Sequence, residues 1–337
     1  GWNSLEVDAR YVNFWQAVGN FNELRNLTVN ARDIMIAKDV STVRNQNYDG
    51  NLWIGDYRYD SSRTITLASD RGAINFYGTI NDAACGGGGC GSGWNSLEVD
   101  ARYVNFWQAV GGMNPLWNLT VNGSTNVAAD IQTISDQIYY GPVLVGSWRG
   151  KTIHISAYDG NITFSQSIND INSIVDKNGW DNGEQWVVAG LNNLIINANS
   201  ITLSQSVGEA SPLNVLKIYS LSLLNLDTSV FTSSLQEYVA PIIHLGGNAA
   251  LRGVPLSSMN QISSVISFIA DSFSTDTTNP ILLKGGVLKI TPYTAGLTIG
   301  IGNGRGSLIL EENLLTGIFD LPNTSVLIGG AEAGDIY

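Results

Sequence analysis

Apolar and polar residues alternate along many short stretches of this chain. The alternation is clearest in SLEVDARYVNF, NLTVNARDIMI, TITLASDRGAINF and LIINANSITLSQSV. A period of two predicts β-strands, and runs rich in Val, Ile, Leu, Thr and Phe favour them further. Asn, Asp, Gly and Ser stand between the runs, where turns need left-handed backbone geometry. Because such phrases recur about every 8–12 residues, the sequence predicts an all-β chain of many short strands.

The chain contains a perfect internal repeat. Nineteen residues, Gly1–Gly19, return without change at Gly93–Gly111, 92 positions later. Weaker similarity continues past both copies, and a diverged third copy begins near Gly190. Repeats of this kind are typical of solenoids and arrays. The sequence therefore predicts three repeat units, at residues 1–92, 93–185 and 186–337.

Two all-β architectures fit such a repeat. In a parallel β-solenoid each coil lays its strands on the coil below, about 4.8 Å away. In a string of sandwiches each unit closes its own core. Short strand pairs joined by Asn, Asp, Ala and Gly suit the corners of a solenoid, and sequence signals for hairpins are few. The chain has only 8 prolines, so the hydrogen-bond ladders between strands are rarely interrupted. We therefore favour the solenoid, with Leu97, Val99, Val104 and Phe106 pointing inward or against a covering flank.

One stretch departs from the strand pattern. Between Met259 and Phe273 the apolar residues fall near helical spacing. The position of this stretch within the third repeat predicts a strand instead, and we expect a strand there.

Charged residues make up only 14% of the chain, so the polar surface must consist mainly of Asn, Ser, Thr, Gln and Gly. This composition is typical of extracellular β-proteins. The net charge of −12 argues against nucleic acid, which needs a basic surface, and against anionic membranes. No apolar run is long enough to insert into a membrane. We interpret Gly1 as a processed terminus or as a point within a longer chain.

Several phrases resemble the repeats of filamentous-haemagglutinin-type adhesins, the large exoproteins of bacterial two-partner secretion. They are SLxVxA…VxF…VG at Ser96–Gly111, PLxxLTVNG at Pro115–Gly123, QxYxGPVxxG at Gln137–Gly146 and GNITFxxxIN at Gly160–Asn169. The resemblance implies a right-handed parallel β-helix, export to the bacterial cell surface, and an adhesive or scaffolding role without catalytic residues. We expect a structural segment of a large secreted adhesin or filament. Its expected partners are flanking segments, other copies of the chain, glycans or host receptors.

Aromatic residues are the best candidates for an interaction surface. An exposed row of aromatics can stack on sugar rings or bury against a neighbouring filament, although the same side chains can also fill the core. Sugar stacking would support the alternative function, a carbohydrate-binding or carbohydrate-active β-helix. The candidates are Trp2, Trp15, Trp94 and Trp107 in the duplicated stretch, and Tyr57 and Tyr59 in GDYRYD.

The sequence predicts no catalytic, cofactor or metal site, and we expect that the protein is not an enzyme. Neither His154 nor His244 has metal-ligand spacing around it, and no Ser-His-Asp set can be assigned. The acidic residues, Asp82 among them, are scattered at expected turns, unlike the carboxylate pair of a glycosidase. Calcium held by turn carboxylates stays open.

Cys85 and Cys90 stand on either side of four glycines. Glycine lets the backbone bend enough to bring two sulfurs into bonding geometry, and two thiolates alone are too few ligands for a structural metal. The oxidising cell surface implied by the resemblance supports a disulfide between Cys85 and Cys90. Because the loop is short, we expect this bond to stabilise the fold by only about 2 kcal/mol.

Overall fold

The computed structural model of the chain shows β-strands joined by turns. Contacts divide the chain into two compact units, Gly1–Leu144 with Ile153–Gln166, and Val145–Thr152 with Ser167–Tyr337. This division follows contacts rather than the boundaries of the sequence repeats. The structure describes residues 3–56, 62–83, 95–147, 149–171, 191–253, 264–276, 281–282, 286–302, 304–311, 314, 324–331 and 333–337.

The strands of the first unit are β1 to β14, although Val145 and Thr152, at the ends of β12 and β13, belong to the second unit. They are β1 (Leu5–Asp8), β2 (Tyr11–Phe14), β3 (Leu27–Ile36), β4 (Val40–Thr42), β5 (Gln46–Ile54), β6 (Thr64–Phe76), β7 (Ile80–Asp82), β8 (Ser96–Phe106), β9 (Leu119–Val127), β10 (Ile131–Thr133), β11 (Gln137–Tyr139), β12 (Val143–Val145), β13 (Thr152–Ala157) and β14 (Ile162–Phe164).

The strands of the second unit are β15 to β27. They are β15 (Ile168–Asp170), β16 (Asn193–Leu203), β17 (Leu213–Leu226), β18 (Ser229–Val239), β19 (Ile242–Leu245), β20 (Ala250–Gly253), β21 (Ser264–Ile269), β22 (Ser272–Thr275), β23 (Ile281–Leu282), β24 (Gly286–Thr291), β25 (Ile299–Ile301), β26 (Leu308–Leu310) and β27 (Thr324–Ile328).

In the first unit the chain winds around three faces, and each coil adds one strand position to each face. Every position pairs in parallel with the next coil on the same face. Face 1 contains residues 5–8, 27–30, 46–49, 73–76, 103–106 and 124–127. Face 2 contains 11–14, 33–36, 51–54, 80–82, 110, 131–133 and 155–157. Face 3 contains 18, 40–42, 64–69, 96–101, 119–122, 137–139 and 162–164.

The second unit repeats this plan. β16 pairs with β17, β17 with β18 and β19, β18 with β20 and β21, and β21 with β24. Every pairing with a defined register, in either unit, is parallel. The fold is therefore the expected parallel β-solenoid, and the string of antiparallel sandwiches is excluded.

The described part of the stretch with helical spacing is strand at residues 264–269 and 272–273, with a two-residue connection between them. Its described part holds β21 and β22, which pair with β18 and β19 on the preceding coil. Val265 faces Leu235 and Phe273 faces Ile243 in these pairs. The expectation of strand is confirmed for residues 264–269 and 272–273, because pairing with the coil below outweighs the local spacing.

Side chains inside each coil come from every second residue, as the alternation predicts. Leu97, Val99, Val104 and Phe106 are all buried, which confirms their inward direction. Because equivalent positions on neighbouring coils are in register, aromatic residues stack on one another inside the first unit. Phe76 stacks on Tyr48 at 5.7 Å and on Phe106 at 5.3 Å between ring centroids. Such contacts each add roughly 0.5–1.5 kcal/mol beyond simple burial.

A buried Gln-x-Tyr motif recurs in all three sequence repeats. Each tyrosine hydroxyl donates to the Oε1 atom of the glutamine two residues earlier, at 2.8 Å for Tyr48, 2.9 Å for Tyr139 and 2.9 Å for Tyr238. Each glutamine Nε2 donates in turn to a backbone carbonyl of a neighbouring coil. Burial raises the pKa of all three phenols well above their usual value, so they stay neutral inside the coil.

The two identical stretches do not lie on the same faces. We call Gly1–Gly19 the first phrase and Gly93–Gly111 the second phrase. In the first phrase, residues 5–8 lie on face 1, 11–14 on face 2 and 18 on face 3. In the second phrase, residues 97–100 lie on face 3, 103–106 on face 1 and 110 on face 2. By these pairings, one repeat advances the chain by eleven strand positions, which is three full coils and two further faces. Because this is one position short of four full coils, each part of the second phrase lies one face away from the same part of the first phrase.

Candidate functional site

Two of the predicted aromatic candidates lie in the described part of the chain. Trp107 is 37% exposed, and Trp15 is half-buried at the equivalent position of the first phrase. The other candidates lie outside the described residues, as do both cysteines, so their roles and the disulfide stay predictions. These are Trp2, Tyr57, Tyr59, Trp94, Cys85 and Cys90.

The outward side of each phrase carries an aromatic, an amide and a second aromatic. In YVNFW the alternation sends Val and Phe inward and leaves Tyr, Asn and Trp on the outer side. We call Tyr11, Asn13 and Trp15 the first patch, on face 2 and its corner. We call Tyr103, Asn105 and Trp107 the second patch, on face 1 and its corner.

An arginine stands beside the tyrosine of each patch. The guanidinium carbon of Arg10 lies 5.3 Å from the ring centroid of Tyr11, and Arg102 lies at the same distance from Tyr103. These are cation–π contacts between consecutive residues at a coil corner. Each arginine places guanidinium donors at the edge of its patch.

Asn105 ends a ladder of amides that crosses the coils of face 1. Asn75 Nδ2 donates to Asn47 Oδ1 at 2.7 Å, and Asn105 Nδ2 donates to Asn75 Oδ1 at 2.7 Å. Asn126 occupies the next rung, directly opposite Asn105. Its Oδ1 is buried and accepts no hydrogen bond from the described residues, and neither does Asn105 Oδ1. The second patch thus contains one accessible amide oxygen without a described donor, that of Asn105, whereas the Asn126 oxygen is enclosed beside it.

The first patch has different neighbours although its own residues are identical. Tyr11 faces Asp33 and Asn13 faces Met35 on the adjoining coil. No described amide stands next to Asn13, and its side chain is exposed. The second patch is therefore the more rigid of the two, because Asn75 holds the amide of Asn105.

Other exposed aromatics were missed in the sequence. Tyr77 follows Phe76, and Tyr140 follows Tyr139, in the way that Trp107 follows Phe106. Two consecutive aromatic residues at the end of a strand therefore predict that the first ring is buried and that the second points outward at the corner. Trp117 and Tyr158 are also exposed but lack this signal.

The structure brings together a serine, a histidine and an aspartate that the sequence did not connect. His244 Nδ1 lies 3.0 Å from Ser274 Oγ, and His244 Nε2 lies 3.2 Å from Asp276 Oδ2. His244 and Ser274 are 30 residues apart but face each other on β19 and β22. A catalytic triad buries its carboxylate so that it fixes the imidazole, whereas the Asp276 side chain is 65% exposed. This group is therefore a surface hydrogen-bond chain rather than an activated nucleophile.

Asp82 was expected at a turn but lies in a fully buried clasp. Its Oδ1 accepts from Asn95 Nδ2 at 2.5 Å, and its Oδ2 accepts from the Asn95 backbone N–H at 3.3 Å. Asp170 and Asn192 form the same clasp in the second unit, at 2.7 and 2.8 Å. Each carboxylate joins the strand before a corner to the residue that begins the next strand of the same coil. Within the described residues, no three or more His, Cys, Asp or Glu side chains are grouped to hold a metal ion.

One surface tyrosine has a shifted pKa. Partial burial, followed by the hydrogen bond to Glu237 and the charge of that carboxylate, raises the pKa of Tyr219 to about 12. The Tyr219 hydroxyl donates to Glu237 Oε1 at 2.6 Å, and Lys217 Nζ lies 3.4 Å from the same oxygen. This trio joins β17 to β18 and lies in the second unit, apart from both patches in sequence.

Comparisons with known proteins identify no relative. No protein-family model matches the chain, and neither a curated protein nor a solved structure matches it. Among the helices of the described residues, none is long and apolar enough to cross a membrane.

Proposed function

We propose that this chain is a repetitive scaffold segment of a large secreted or cell-surface protein of the filamentous-adhesin type. Its task is to supply length and to present side chains at intervals. The surface of Asn, Ser, Thr and Gly, with few charges, supports an extracellular setting. The proposal assigns no catalytic residue.

The observation that carries this proposal is that the duplicated stretch makes the same pairings twice. Leu5 pairs with Leu27 in the first phrase, and Leu97 pairs with Leu119 in the second. Coils that bury their core only against their neighbours have nearly additive stability. A further repeat therefore adds length without requiring a new fold.

The test is to change the number of repeats and measure length. We expect a chain with residues 1–92 duplicated once more to be about 18 Å longer, since a repeat advances three and two-thirds coils of about 4.8 Å. Small-angle scattering and electron microscopy measure this. A particle that grows in all directions, or fails to lengthen, would contradict the proposal. Surface labelling of cells that express the native gene tests the location.

A further inference from the structure

We propose that both patches bind neutral hexopyranose polysaccharides, and that the chain cross-links two separate glycan strands because the repeat turns its patches onto different faces. This goes beyond the scaffold function, which needs no ligand. It rests on the outward Tyr-x-Asn-x-Trp residues, on the accessible amide oxygen of Asn105 and on the eleven-position repeat.

Sugar chemistry matches the polar atoms of the second patch. A hexopyranose presents C–H groups on its ring faces and hydroxyl donors around its rim. Tyr103 and Trp107 offer exposed rings for the faces. Asn105 Oδ1 accepts from no described residue and is not among the enclosed atoms, so a ring hydroxyl can donate to it.

The size of each patch favours a glycan over a protein partner. A Tyr or Trp side chain buries roughly 150–250 Å² when fully covered, so two partly exposed rings provide a few hundred Å² at most. A stable protein interface covers about 1,200–2,000 Å² in total. Three side chains can therefore hold one or two sugar rings but not a folded partner. The net charge of −12 favours uncharged glycans over polyanions.

The direction of the patches decides what binding achieves. The first patch lies on face 2 of the first coil, and the second patch lies on face 1, one repeat or three and two-thirds coils further along. This distance corresponds to about 18 Å along the axis. A straight glycan lying on one face cannot reach the other patch, so two patches hold two strands. Had the repeat been a whole number of coils, both patches would share one face and reinforce binding to one strand.

The two patches should differ in affinity. Asn75 fixes the amide of Asn105, whereas no described amide holds Asn13. A preorganised group loses less entropy on binding. We expect the second patch to bind several-fold more tightly than the first.

The experiment titrates the full chain with hexasaccharides of glucose, mannose and galactose by calorimetry. We expect two binding sites for at least one of them. The double variants Y11A/W15A and Y103A/W107A should each retain one site, and the combined variant none. N105A should weaken the tighter site about 3- to 10-fold, the loss of one hydrogen bond. Y140A removes an equally exposed tyrosine outside the patches and should leave both sites unchanged.

Precipitation of a soluble high-molecular-weight polysaccharide built from the sugar that binds tests the cross-link. The wild-type chain should precipitate it, and each single-patch variant should bind it without precipitation. Absence of hexasaccharide binding, a single site in the wild type, or precipitation by the single-patch variants would overturn the proposal. Self-association that disappears in the combined variant would assign the patches to chain–chain contact instead. The length measurement on added repeats is independent of these outcomes, so the scaffold function can fail or stand by itself.

Discussion

The first and second phrases are the same nineteen residues in two settings. Leu5 is 38% exposed, whereas its counterpart Leu97 is 1% exposed. The second phrase lies between residues 64–76 and 119–127, while the first pairs with described residues on one side only. The outward tyrosines barely change, at 54% for Tyr11 and 47% for Tyr103. Burial inside a coil is therefore a property of the neighbouring coil, whereas exposure of the outer side belongs to the sequence itself.

The polar contacts of the phrases differ in the same way. Asn95 binds the buried carboxylate of Asp82 through both its backbone N–H and its side-chain amide. Asn3, the same residue of the first phrase, is exposed. Gly55 shows how closely the clasp is packed, because a Cβ atom there would lie 2.2 Å from Asn95 Nδ2. The clasp thus fixes the start of the second phrase to the face 2 strand of its own coil.

The largest difference between the phrases should appear at their phenylalanines. Phe106 is fully buried and stacks on Phe76, whereas Phe14 is half-buried. Phe106→Ala should cost about 3–5 kcal/mol of unfolding free energy, and Phe14→Ala less than half of that. Native-state hydrogen exchange of the amides of β8 and β2 measures each loss locally, since a chain of this size need not unfold in one step. Equal losses would show that the neighbouring coil does not set the difference.

The asparagine of the clasp should show the next largest difference. Asn95→Ala leaves the buried Asp82 carboxylate short of a donor and should cost about 2–3 kcal/mol. Asn3→Ala should stay within about 0.5 kcal/mol of the wild type, as exposed substitutions usually do. Chemical denaturation compares the two variants. Asn95→Asp is a useful addition, because two facing carboxylates should destabilise the clasp more than alanine does.

Alkaline pH should affect the two repeats equally, because Tyr48 and Tyr139 are buried in both. Burial raises their folded-state pKa above the unfolded value near 10. Their contribution to the free energy of unfolding is therefore complete below pH 10 and is lost as the pH rises above it. Each tyrosine should remove about 1.4 kcal/mol per pH unit above pH 10. Denaturation midpoints between pH 9 and 11 test this. Tyr48→Phe and Tyr139→Phe should each flatten the decline by the same amount; a flattening by only one of them would break the equivalence.

The smallest effect is expected at the outward tyrosines. Tyr11→Ala and Tyr103→Ala should each change stability by no more than about 0.5 kcal/mol, and by the same amount. Thermal unfolding of the two variants side by side is sufficient. A large loss at Tyr103 alone would mean that its ring covers the core of face 1, which would also weaken its role as a sugar platform.

The strand pattern and the inward residues could be predicted because alternation is a local property. The alternation in SLEVDARYVNF directs Leu97 and Val104 to the inside of their coil, whichever coil is stacked next to it. The outward direction of Tyr and Asn in this stretch, and of the Trp that follows it, could have been predicted from the same alternation. Tyr77 and Tyr140 could have been found by the rule that an aromatic follows a buried aromatic at a corner.

The long-range arrangement could not be predicted in this way. Coil length varies, since ladder partners are 19 residues apart at Thr28 and Asn47 but 28 apart at Asn47 and Asn75. The sequence spacing therefore does not reveal which face a residue lies on. For the same reason Asp82 was taken for a turn residue, and His244 was not connected with Ser274. These contacts depend on how many residues the corners of one coil contain.

The eleven-position repeat also has a consequence for how the gene can change. Unequal recombination between the DNA of the identical stretches inserts or removes 92 residues. The reading frame and the repeated stretch stay intact on both sides of the junction. Each event turns everything that follows by one face, and three events of the same sign restore the original direction. The number of repeats thus sets the direction in which all later surface side chains point. A single crossover can turn a surface site to another face without altering one of its residues.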